Sequence, residues 1–288
     1  MSRGRIAAAA LAWAALAMCA GCSQAPTAGT RFPDVADEPA APMPAVYTCH
    51  RTVDPIRIDG VLSETSWQRA PSTGNFRLAA EGTPGPHPTR ARMLWDDRML
   101  YVAFECADRD IYTTLTGRDA ALYDQDVVEV FIAEQTRGKG HFLEYEFSPR
   151  GAMFDAYVVA PYRGKLDWNS AGLAAAGKVF GTPNAPGDAD AGYVVEAAIP
   201  LDGLFADAFR PKIKAGQKIR LNLYRIDYAT PPAKGRPPAK PAYLAWSVLG
   251  ENAFHRPEKF GTVVFSTDPP NGKAAPSSRA VDRPPANR

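Results

Sequence analysis

Residues 122–133 read Leu122-Tyr123-Asp124-Gln125-Asp126-Val127-Val128-Glu129-Val130-Phe131-Ile132-Ala133. An aromatic stands in an acidic loop, and the loop runs straight into an apolar, β-branched segment of strand character. One carboxylate, Glu129, interrupts that segment. Burying an unpaired carboxylate costs several kcal/mol, so Glu129 either faces a cavity or pairs with a cation, for which Arg225 and Lys259 are candidates.

Outward from this stretch, short alternating segments recur between turn signals. Ala91 to Trp95 and Leu100 to Cys106 flank the turn at Asp96-Asp97 and form a hairpin. Tyr101, Ala103 and Glu105 then share one face, and Leu100, Val102, Phe104 and Cys106 the other. After Asp126 to Ala133, His141 to Ser148 returns with Leu143, Tyr145 and Phe147 on one face and Glu144 and Glu146 on the opposite one. Pro149-Arg150-Gly151 turns the chain into Ala152 to Val159. Gly192 to Ile199 is ended by Pro200. Ile219 to Tyr228 alternates cleanly, and Tyr243 to Val248 and Gly261 to Phe265 close the series. Arg57-Ile58-Asp59-Gly60 ends a first strand in a turn. Ser63 caps a short helix carrying Trp67, and Leu201 to Phe205 reads as a second short helix. The pattern predicts an all-β antiparallel sandwich with one or two short helices.

The ends have a different character. Arg3 and Arg5 precede an apolar run from Ile6 to Met18, the layout of a signal peptide and too short for a membrane span. Ala20-Gly21-Cys22 resembles the bacterial lipobox, so Cys22 is expected to be the lipidated first residue of the mature chain, tethered to a membrane in the periplasm or at the bacterial outer membrane. Cys19 occupies the lipobox position where leucine is usual. The expected organisation is a signal peptide over 1–21, a flexible Ala/Pro/Thr-rich tether over 22–45, one folded domain over 46–267 and a disordered tail over 268–288. Losing the signal removes Arg3 and Arg5, and the formal charge falls from +2 to zero. A neutral protein lacks the basic footprint that nucleic acid requires. It is expected to act as a monomer. Cys49 and Cys106 remain in the mature chain, and in an oxidising compartment they are expected to form a disulfide, the alternative being two buried thiols.

The ordered motifs resemble family 9 carbohydrate-binding modules and their relatives in the DOMON-like superfamily. The matching pieces are Ile58-Asp59-Gly60 with Trp67, Met93-Leu94-Trp95-Asp96-Asp97 before Leu100-Tyr101-Val102-Ala103, and Asp124-Gln125-Asp126-Val127-Val128-Glu129-Val130-Phe131. They continue with Gly192-Tyr193-Val194-Val195-Glu196-Ala197-Ala198-Ile199-Pro200 and Pro257-Glu258-Lys259-Phe260-Gly261. The resemblance spans nearly the whole domain and implies a sandwich of jelly-roll type. It also implies oligo- or polysaccharide binding without cleavage, in support of polysaccharide capture or catabolism, sometimes beside a glycoside hydrolase.

In such modules two aromatic rings enclose a terminal sugar, and the matching positions here are Tyr123 and Phe254, where tryptophan is typical. Glu129 matches a residue that hydrogen-bonds sugar hydroxyls. Glu146 stands where the family places an arginine, and Glu251, with Asn252 beside it, where the family places an asparagine. Tyr123, Glu129, Glu146, Asn252 and Phe254 are therefore the expected ligand-binding residues. Some members hold a structural calcium, for which no ligand set can be assigned. Asp108, Asp110, Asp124 and Asp126 are the acidic loop residues in view.

Two other chemistries are weighed. Glu144 and Glu146 lie roughly 6.5–7 Å apart at strand spacing, a separation met in inverting glycosidases. They point the same way, however, instead of flanking a bond. Some DOMON-like domains bind haem, with Met93 and Met153 as candidate axial ligands, although alternation favours them as core residues. His50, His87, His141 and His255 are scattered and are expected at the surface.

Overall fold

Alternation along each strand decides which layer its side chains fill. The computed structural model describes residues 44–133, 140–185, 188–201, 214–228 and 240–271, all within one compact unit, Arg31–Arg288. In chain order the strands are β1 (Val46–Arg51), β2 (Arg77–Leu78), β3 (Thr89–Trp95), β4 (Met99–Ala107), β5 (Val127–Ala133), β6 (Phe142–Phe147) and β7 (Met153–Ala160). They continue with β8 (Arg163–Lys165), β9 (Ala174–Phe180), β10 (Gly192–Pro200), β11 (Lys218–Asp227), β12 (Ala242–Ala245) and β13 (Gly261–Ser266). One short helix, α1 (Thr65–Arg69), stands between β1 and β2. The expected helix at Leu201–Phe205 falls almost wholly outside the described residues.

The 13 strands form one hydrogen-bonded sheet in the order β8-β7-β6-β5-β11-β13-β1-β3-β4-β10-β9, with β12 on β11 and β2 on β12. The sheet bends at β11. Residues 218–221 pair with β13, whereas residues 221–226 pair with β5. A strand shared in this way joins two layers into a sandwich. Val128, Val130 and Ile132 of β5 and Leu143, Tyr145 and Phe147 of β6 face inward. They meet Leu100, Val102, Phe104 and Cys106 of β4 and Tyr193, Val195, Ala197 and Ile199 of β10 in the main core. The outer face of the β3–β4–β10 layer is sealed by Trp67 of α1, which packs with Leu94, Tyr101 and Ala198. Trp67 Nε1 donates to Glu196 Oε1 at 2.7 Å, and Glu196 Oε2 accepts from the amides of Asp59 and Gly60.

Several local expectations are corrected. The pairing is not wholly antiparallel: β1 runs parallel to both β13 and β3. Parallel neighbours need a long crossover, and residues 52–88, which include α1, supply the one between β1 and β3. The first strand ends at Arg51, and Ile58 packs against the outer cluster from a loop that turns at Gly60 with φ +76°. Ser63 does not cap α1. Glu64 holds the N-cap position without a side-chain cap, and the Asp54 carboxylate takes the free amides of Thr65 and Ser66 at 2.8 and 3.0 Å.

Cys49 and Cys106 are not joined; both are buried free thiols. Register explains this. His50 lies level with Leu94, and Leu94 with Tyr101, which puts Cys49 level with Val102. Cys106 is four residues further along β4, about 13 Å at strand rise and two strands away, well beyond the roughly 7 Å Cα separation a disulfide can span.

Arg225 ties the layers together from inside. It is fully buried on β11, yet it bonds the Ala107 carbonyl at 2.8 Å, Thr89 Oγ1 at 2.9 Å and Asp108 at 2.7 Å, all from the opposite layer. Asp227 lies 3.3 Å away, and His87 Nδ1 meets Asp227 at 2.9 Å.

Candidate functional site

The outer face of β5, β6 and β7 carries the candidate site. Tyr123 lies on a single 3-10 turn, Leu122–Asp124, just before β5. Leu122 is buried and anchors the turn, while Tyr123 is 48% exposed. The polar residues behind it brace loops. Asp126 accepts from the amides of Tyr112 and Tyr228 at 2.6 and 2.7 Å, and Gln125 Oε1 accepts from those of Thr114 and Leu115.

Beyond this turn, Glu129, Glu144 and Glu146 point outward because each alternates with a core residue. Glu129 and Glu146 are directly opposed across the β5–β6 ladder, and Glu144 opposes Phe131. The three line one cavity of about 730 Å³, with Tyr123, Asn252 and Phe254 also in its wall. The residues expected at a ligand site thus converge, although they come from three separate segments of the chain.

Their surroundings differ. Phe254 is only 8% exposed. Its ring stacks on Tyr224 at 4.0 Å and meets Tyr243 edge-on at 5.6 Å. It is a packed wall of the outer cluster more than a free platform. Glu251 turns away and pairs with Arg256, leaving the adjacent Asn252 at the cavity. Arg225 is not the partner of Glu129, because it faces the interior of the sandwich. Lys259 is exposed, and among the described residues no contact brings it to Glu129.

The carboxyls shape each other's ionisation. Burial pushes Glu129 well above the usual carboxylate range, and the nearby Glu144 adds to this. Burial raises Glu146 likewise, with Glu129 and Glu144 adding and the Tyr123 amide opposing. Glu144 is pushed up to about 7 by burial, against the bond it makes with Glu146. Three such neighbours cannot all ionise at neutral pH. The cluster therefore holds protons, and it can both donate to and accept from a ligand's hydroxyls.

Tyr162 is not singled out by the sequence, and His255 is expected from it only as a surface residue, not at the site. Tyr162 opens the β7–β8 hairpin, is 74% exposed and has φ +57°, a left-handed conformation uncommon outside glycine. Its ring stacks on His255 at 4.5 Å, and its amide donates to His255 Nδ1 at 2.9 Å. An accepting Nδ1 leaves the proton on Nε2, which faces Glu144 at 3.6 Å. Burial lowers His255 to about 4, so the ring is neutral at physiological pH. The available signal was modest: His255 directly follows Phe254, and Tyr162 is an aromatic beside a proline in a turn. All four histidines are partly exposed.

Calcium does not fit the acidic loops. Both Asp126 oxygens accept backbone amides, and Asp108 is held by Arg225 and by the Asp110 amide. Among the described residues, one group, His87, Asp108 and Asp227, brings three ligating atoms within 4.8 Å of one another. The Arg225 guanidinium already supplies its positive charge. Haem ligation by methionine fares no better, because Met93 is fully buried in the main core and Met153 packs against it.

A family model described as carbohydrate family 9 binding domain-like matches residues 58–267. The chain belongs to this family. As a family 9-like domain it shares its fold with solved structures at low identity. A candidate carbohydrate-binding protein from Bacteroides uniformis superposes with TM-score 0.61 at 15% identity, over 77% of this chain and 99% of that one. A family 9 carbohydrate-binding module from Caldicellulosiruptor kristjanssonii in complex with cellotriose gives 0.52 at 18% identity, over 83% and 100%. A family 9 module from the same organism in complex with glucose gives 0.51 at 18%, over 77% and 96%. No curated protein matches the chain.

Proposed function

We propose that this family 9-like domain binds carbohydrate without cleaving it, holding a sugar in the cavity between Tyr123 and the β5–β6 carboxyls. The observation that carries this reading is the convergence of an exposed ring, Tyr123, with Glu129, Glu146 and Asn252 on one cavity of about 730 Å³. Ligand pockets combine apolar walls with a few converging polar groups, and a pyranose offers an apolar C–H face and a rim of hydroxyls to match. Glycoside hydrolysis is disfavoured because Glu144 and Glu146 issue from one strand face and cannot flank a bond.

The same reading has the protein exported, lipidated at Cys22 and held in the periplasm or at the bacterial outer membrane, where it captures oligo- or polysaccharide for catabolism. Calorimetry against a panel of oligosaccharides, cellotriose among them, tests the binding. Saturable binding that is lost in Tyr123→Ala is the expected result, and no heat with any glycan overturns the reading. Mass spectrometry of the mature N-terminus tests the anchor: an unmodified Cys22 removes it.

A further inference from the structure

We infer that the sugar this site prefers carries a protonated amine, so that its ligand class is amino sugars and not neutral ones. This deepens the reading given under Proposed function and rests on it. Glu129 and Glu146 are register partners on β5 and β6, with Glu144 two residues from Glu146 on the same face. Glu129, Glu146 and Glu144 are 2%, 1% and 9% exposed as whole residues, and all three border the cavity. Among the described residues no lysine or arginine pairs with any of them.

A second observation points to a ligand. Glu146 Oε2 is buried at the cavity with no hydrogen-bond partner. A carboxylate oxygen removed from water and left unmatched is costly, and an incoming N–H donor relieves that cost. The other charged or titratable groups facing the cluster do not fill the place. His255 contacts Glu144 through Nε2 but is neutral, and Arg163 is exposed at the mouth of the cavity.

The occupant is an organic cation and not a metal ion. The three glutamates do not gather their oxygens as tightly as His87, Asp108 and Asp227 do. Rings line the same space, including Tyr123, Tyr162 and Tyr243. Aromatic faces attract ammonium groups, and charge-assisted hydrogen bonds from N–H to carboxylate are about twice as strong as neutral ones. In the ligand-free protein, protons shared among the glutamates play the compensating part. Binding an ammonium group then displaces a proton to solvent.

The test compares a glucosamine trimer, its N-acetylated counterpart and cellotriose by calorimetry on the full chain in slightly acidic buffer. The amine trimer is expected to bind about tenfold or more tightly than either neutral trimer, with an enthalpy that tracks the ionisation heat of the buffer. In Glu146→Gln, with its melting transition checked, that preference is expected to shrink to about threefold or less. Neutral trimers that bind as tightly as the amine trimer overturn the inference and leave carbohydrate binding standing. An amine preference that survives in Glu146→Gln also overturns it. Failure of all three trimers to bind overturns this inference, and the parent reading then stands or falls with the wider oligosaccharide panel.

Discussion

Tyr123 and Phe254 occupy matching places in the sequence pattern, but the residues around them assign them different parts. Tyr123 is half exposed on a single turn, so removal of its ring takes little packing away. Tyr123→Ala should change stability by no more than about 0.5 kcal/mol while abolishing glycan binding. Phe254 is stacked face to face on Tyr224 and touches Tyr243. Phe254→Ala should cost about 3–5 kcal/mol, as a large cavity in a packed cluster does. Urea denaturation of the two variants checks this, and equal stability in both would sink the distinction. Sequence alone could not separate these residues. The ring that buries Phe254 belongs to β11, thirty positions away, and exposure depends on such distant neighbours.

At the scale of elements, the β5–β6 pair makes stability depend on pH. Glu144 has an ordinary value of 4.5 and is raised to about 7 in the fold. A carboxyl raised by folding contributes stability that is fully present below its unfolded value and is lost as pH rises through the folded one. His255 acts oppositely. Lowered from 6.5 to about 4, it contributes stability above 6.5 that is lost as pH falls through 4. Between pH 6.5 and about 8 the unfolded histidine gives up only its remaining protons while the folded carboxyls give up most of theirs, so the carboxyls decide. Stability should therefore fall across that window. Glu196, raised to about 7 by burial on the far layer, contributes in the same direction. Glu144→Gln should make the fall shallower, as read by denaturant titration at several pH values; an unchanged slope contradicts the assignment.

Elements were legible where the period was strict. The β4, β6 and β11 alternations were read correctly because a pleated backbone sends successive side chains to opposite faces whatever the tertiary context. β9 was missed because it opens Ala174-Ala175-Ala176-Gly177, residues of poor strand propensity. The fold requires that glycine: a Cβ on Gly177 would stand 2.2 Å from the Pro149 carbonyl oxygen. Register was the least legible property. The opposition of Glu129 and Glu146 and the wide separation of Cys49 from Cys106 both follow from which residues lie abreast. No local pattern states that.

For the molecule as a whole, Arg225 is the interior bond between layers. It is fully buried and compensates Asp108 and Asp227. Arg225→Ala should destabilise by about 3–5 kcal/mol, the usual consequence of leaving buried charge unmatched. His87 remains beside Asp227 to relieve part of it. A loss below about 1 kcal/mol in urea titration would mean that the layers hold without the bridge.

The parallel pairing of β1 with β13 has a mechanical consequence. Val46 lies level with Thr262 and His50 with Ser266, so both strands run from the same end of the sandwich to the other. A pull applied between residue 45 and residue 267 therefore drags the two strands past each other along their length. Every rung of their ladder is loaded at once, whereas an antiparallel closing pair pulled from adjacent ends would open one rung at a time. A domain held at its front while its cargo or its tail is tugged from behind would resist as a shear clamp. Single-molecule stretching between those two points should meet one high force peak before the sheet yields.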